Sequence, residues 1–178
     1  MTSIQLADLI SLAARQSFSA ARADIGRDEI IGYAILSHDT ADSCGPVVAT
    51  RNGMAKRNDI PAADFTFQPV EWDVFPSDSY FEPVNRAIGK LYDAGDDDVD
   101  DWHHHFRALI FDACVGALEQ LVHEGFFGPA AQRNALFISF ALSDSATTRT
   151  HAPGWIRRLN TEQVYEKFMD SHQKWFSK

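Results

Sequence analysis

The chain reads as an α+β protein, with a small, mainly antiparallel sheet packed against several helices. Three observations point there. Strand-like segments near 29–36, 46–51 and 134–142 are separated by helical patterns of unequal length. The order does not alternate strand and helix strictly, which argues against a doubly wound parallel sheet. The chain has 178 residues, 45% of them hydrophobic and 13 of them Phe, which suits one domain over 1–178 with a core that needs no disulfide or structural metal.

Each element has a local reason. Ile4, Leu9, Ile10, Ala13, Ala14 and Phe18 recur at helical spacing, and Thr2 or Ser3 can cap that helix. EIIGYAIL is β-branched and aromatic, SHDTADSCG is turn chemistry, and PVVATR is a partner strand, so 29–51 reads as a hairpin. RNGMAKRNDIPAADF has no clear period and reads as a loop. FTFQPVEWDVF is extended or an edge strand broken by Pro69. Phe81, Val84, Ile88, Leu91 and Tyr92 mark the next helix, which Gly95 ends. The strongest helix is 100–124, whose Trp102, Phe106, Ile110, Ala113, Ala117 and Leu121 should face a sheet containing 134–142. WIRRLN reads as a short helix, and Asn160 with Gln163 as a capping box for a last helix over 161–176.

Charge is uneven. The net charge is −9, yet residues 59–101 hold 12 Asp or Glu against Arg86 and Lys90, so the rest of the chain is almost neutral. Such a surface disfavours nucleic acid and favours a basic protein partner. No apolar run is long enough to span a bilayer. The N-terminal residues lack the basic start and unbroken apolar run of a signal peptide. Cys44 and Cys114 stand far apart in no CxxC pattern, so a reduced, cytoplasmic setting is expected.

The most chemical stretch is DAGDDDVDDWHHHF, from Asp93 to Phe106. On a helix its three histidines fan out by about 100° each and cannot converge on one ion, and no HxxxH occurs. Asp96, Asp98 and Asp100 open like a calcium loop, but Asp101 stands where the turn needs glycine and Arg107 where it needs glutamate. We therefore expect no metal and no cofactor. Asp98 is read as the helix cap, and Asp100–His104 and Asp101–His105 as supporting i,i+4 pairs, with His103 half-buried. The expected binding residues are Asp96, Asp97, Asp98, Asp100 and Asp101, with Trp72, Trp155 and Arg158 as further candidates. A hydrolase or transferase using the carboxylates of Glu71, Asp73 or Asp144 is the alternative. EGFFG reads as a packed turn, and no nucleophile elbow or phosphate-binding glycine loop is present.

The order of short motifs is also informative. It runs GYAI in the first strand, Asn52 after the second, Glu71-Trp72, Asn85, EGFFG, Ser143-Asp144 and Leu159-Asn160. This order resembles domain of unknown function 4303, over roughly residues 4–170. The resemblance implies a small soluble bacterial α+β protein and brings no activity or catalytic residue. By analogy with other small bacterial domains it raises one expectation, that of a toxin-neutralising immunity protein.

Overall fold

The computed structural model describes residues 2–95, 101–143 and 145–176. Helix α1 (Ser3–Asp24) leads into β1 (Ile30–Ser37) and β2 (Cys44–Thr50). Two short helices follow, α2 (Arg51–Lys56) and α3 (Ala62–Phe67). Next come α4 (Glu82–Asp93), α5 (Trp102–His123), β3 (Phe137–Leu142), α6 (Ser145–Leu159) and α7 (Glu162–Phe176). The α+β class holds.

The sheet is mixed. Its order is β2-β1-β3, with β1–β2 antiparallel and β1–β3 parallel. The hairpin is the one expected from its turn chemistry. The parallel pair escaped the strand patterns because orientation depends on the connection: more than eighty residues separate β2 from β3, ample for a crossover that returns the chain in the direction of β1.

The three strands carry side chains into two apolar layers. Tyr33, Ile35, Val48, Ile138 and Phe140 face α1, α4 and α5. Val47, Ala49 and Phe137 face Phe65, Phe67, Trp72 and the α6–α7 pair. Ile30 pairs with Thr50 while Gly32 pairs with Ala49, so Ile31 is an extra residue, a β-bulge. The bulge turns Ile31 into the second layer although Tyr33 lies in the first.

Local chemistry sets the helix ends. Thr2 and Gln5 form a reciprocal capping box on α1, at 2.9 and 3.3 Å. Phe126 and Phe127 of EGFFG pack edge-on against Phe18, while Gly125 and Gly128 take φ of +71° and +94°, conformations open to glycine. The expected face of α5 is buried from Phe106 to Leu121, and its Phe111 reaches Phe140 of β3 at 5.4 Å between ring centroids. Much of that face lies along α1 instead of the sheet.

Several local expectations are corrected. Residues 51–65, read as loop, carry α2 and most of α3, too short to show a period, and 65–75, read as extended, begins with the end of α3 and a 3-10 turn before Val74 meets β2. WIRRLN is the end of a longer helix that runs through Pro153. Asn160 does not cap α7; Thr161 does, its hydroxyl accepting from Val164 N at 3.4 Å. His103 is exposed, not half-buried.

Candidate binding surface

The surface with the most distinctive chemistry is built by residues 69–82 and the adjoining ends of β1 and β3. Pro69 opens a single 3-10 turn, Pro69–Glu71. Trp72 then drops its indole into the second layer, where it is 2% exposed and donates its N–H to Phe65 O at 2.9 Å. The chain next runs beside β2, where Val48 N donates to Val74 O at 2.8 Å. A second turn, Asp78–Tyr80, delivers Phe81, fully buried, to the start of α4. Trp72 and Phe81 thus pin both ends of an eight-residue span.

What lies around and between those pins points outward. Phe75 is 63% exposed and Val70 49%. Asp73, Asp78 and Glu82 are exposed in the same segment, Asp78 sharing a hollow with Val70, and residues 69–82 contain no Lys, Arg or His. Glu82 touches Arg86 at 4.0 Å, while Asp73 and Asp78 make no ion pair among the described residues. Apolar side chains therefore sit in a strongly negative strip.

The strip borders the carboxyl ends of the parallel strands, where sheets of this kind often present ligand-binding groups. Ser143 N donates to Ser37 O at 3.0 Å, which holds the two ends together. His38 Nδ1 lies 3.1 Å from Ser143 Oγ, and Arg107 bridges Asp39 at 2.5 Å and Thr147 Oγ1 at 3.2 Å. Asp78 and Val70 line the same hollow as His38 and Ser143.

The expected binding residues divide. Asp96, Asp97, Asp98 and Asp100 lie outside the described residues. Asp101 is exposed and precedes α5, where its carbonyl, not its carboxylate, contacts His105 Nδ1 at 2.8 Å. Trp72 is a core residue. Trp155 is 8% exposed, packed between Phe140 and Phe111, with His151 stacked on it. Arg158 bonds Glu119 at 2.5 Å, and that contact holds the Glu119 carboxyl below its usual range. These three therefore serve packing and pairing in the free protein. Val70 and Phe75 were missed, because nothing in PVEWDVF says which side chains turn outward until Trp72 is seen to go in.

The carboxylates of the enzyme alternative do not converge. Glu71 is paired with Arg57 at 2.9 Å, Asp73 is exposed on the strip, and Asp144 lies outside the described residues. His38 and Ser143 are both exposed, and among the described residues no carboxylate bonds the imidazole to complete a triad. Among those residues no group of three or more His, Cys, Asp or Glu is gathered as a metal would require. No helix of the described residues is long and apolar enough to cross a membrane.

The architecture defines an α+β domain with a mixed three-stranded sheet layered by helices on both faces. A model of the family described as Domain of unknown function (DUF4303) matches residues 10–161, and the chain belongs to that family. No curated protein and no solved structure matches the chain. Several motif residues of the family resemblance prove to be internal ties. Asn85 Oδ1 accepts from Cys44 N at 2.9 Å, Trp72 fills the second layer, and Asn160 holds β3.

Proposed function

We propose that the protein works by binding a basic protein partner through the 69–82 strip, without catalysis. The observation that carries this reading is the exposure of Phe75 and Val70 among Asp73, Asp78 and Glu82. An exposed aromatic side chain held on a fixed backbone is the usual anchor of a binding hot spot, and surrounding carboxylates select a cationic partner. A toxin-neutralising immunity protein is the specific form proposed, since such a protein needs an acidic cover for a basic target and no active site of its own. The setting proposed is the cytoplasm, and the two buried free thiols, Cys44 and Cys114, suit it. Nucleic acid and membrane surfaces are disfavoured as partners by the same negative charge.

The experiment is affinity capture from the native host with the wild-type chain and with Phe75→Ala, followed by titration of the purified partner. We expect a basic protein held by the wild type and bound at least tenfold more weakly by F75A. Equal binding by the two chains would remove the strip from the interface.

A further inference from the structure

A cavity of about 230 Å³ opens in the second layer beside Val70. Its origin lies in β3. On the first face this strand carries Ile138, Phe140 and Leu142, all large. On the second face it carries Phe137, Ser139 and Ala141, so the side chains shrink toward the end of the strand. Across the gap α6 offers Ala152, another small residue. Large residues at any of these three positions would fill the space, and close packing is the ordinary state of a protein interior. Aromatic rings form one wall: Phe67 meets Phe137 edge-on at 5.0 Å, and Phe168 stacks on Phe137 at 6.1 Å.

We propose that this cavity binds a small, neutral aromatic molecule carrying one N–H or O–H donor, of the size of indole. Size comes first. A dry cavity of about 150 Å³ accepts benzene, so one half as large again suits a fused two-ring molecule. Charge comes second. Among the described residues no Asp, Glu, Lys or Arg lines the cavity and His172 is its one ionisable side chain, so a strongly ionic ligand would lose its hydration with no fixed opposite charge to meet. The donor comes third. Ser139 lines the cavity and is 3% exposed. Its hydroxyl donates to Phe140 O at 3.0 Å, which leaves the oxygen free to accept from a ligand. Half-exposed Val70 stands at the mouth, so the ligand has a way in. The proposal is independent of the docking strip, although the two share Val70.

The test titrates indole into the full chain, read by calorimetry and by methyl NMR of Val70 and Ile156. We expect saturable binding with a Kd on the order of 0.1–1 mM, and shifts concentrated at those methyls. 1-Methylindole has the same rings and no donor, and it should bind several-fold more weakly. Ala141→Leu places a side chain in the cavity and should weaken indole more than tenfold. Ala152→Leu does the same from the opposite wall and serves if the first variant does not fold. The proposal is overturned if indole causes no saturable shift, if 1-methylindole binds as tightly, or if a folded filled variant keeps wild-type affinity.

Discussion

Asn160 closes its carboxamide on both backbone polar groups of Ile138: Oδ1 accepts from Ile138 N at 2.9 Å and Nδ2 donates to Ile138 O at 2.7 Å. Ile138 lies on β3, whose other side is paired to β1. The side chain therefore acts as one rung of a missing neighbour strand on an otherwise open edge. A third bond, Nδ2 to Ile156 O at 3.0 Å, ties that rung to the end of α6.

Asn160→Ala should accordingly destabilise the fold by about 2–4 kcal/mol, because partly buried backbone groups lose their partners together. Asn160→Asp should cost at least as much. It keeps the acceptor for Ile138 N but sets a carboxylate against two carbonyls. Urea unfolding of the two variants checks this, and an aspartate variant as stable as wild type would contradict it.

Gly32 and Trp72 form a second such relationship. A Cβ at position 32 would lie 2.5 Å from Trp72 Cη2, with the Ala49 Cβ 3.2 Å away. Gly32→Ala should therefore cost about 1–3 kcal/mol by overpacking. The sign of the coupling is the sharper outcome. With Trp72→Phe already present, the ring no longer reaches the added methyl, so the glycine change should cost less. A double-mutant cycle measures this, and additive costs would show that the indole does not set the requirement for glycine.

These two pairs also show what a single sequence can disclose. The GYAI strand, the α5 face and the EGFFG turn were legible because each is a local pattern of apolar spacing or turn chemistry. Asn160 was visible as a helix-capping type but not in its role, since its partner stands 22 residues earlier on a strand whose edge is defined by the rest of the sheet. Trp72 was offered as a surface candidate because an aromatic beside two acids has no local signature of burial. Its fate depends on the space above Gly32, forty residues away. The outward turn of Val70 and Phe75 follows from that burial and was hidden with it. Cys44 and Cys114, far apart in sequence, meet in the core, where the hydrogen bond between them and burial together push the Cys114 thiol well up.

Acid should weaken the protein through its ion pairs. The hydrogen bond from Arg158 lowers the Glu119 carboxyl, and that from Arg57 lowers Asp59. Gln120 and then Arg15 lower Glu124. Each folded-state value lies below the unfolded one. The stability linked to them is thus present in full above the unfolded carboxylate range, about pH 4–5, and is lost as pH falls through the folded values. Glu119→Gln should cost under about 1 kcal/mol at pH 7, because Arg158 is 44% exposed and solvent screens the pair. The gap between variant and wild type should narrow as the pH is lowered through that range. A gap that stays constant in urea titrations would exclude the Glu119–Arg158 pair as its source.

Charge on the docking surface should act on the rate of encounter more than on the life of the complex. Opposite charges attract over about 8–10 Å at ordinary salt, before contact is made, whereas exposed rim charges add little once water and ions compete for them. Two variants separate the strip from the acidic run that follows it. One neutralises Asp73, Asp78 and Glu82 to Asn, Asn and Gln, and the other converts Asp96, Asp97, Asp98 and Asp100 to Asn. With a basic partner in hand, both should slow association at low salt and flatten its dependence on salt, with smaller changes in dissociation. The strip variant should show the larger effect, because its charges flank the anchor Phe75 itself. Phe75→Ala should do the reverse, speeding dissociation while leaving association nearly unchanged, since an apolar side chain exerts no pull at a distance. Wild-type association by both charge variants at low salt would mean that the acidic residues only solvate this face and that the partner docks elsewhere.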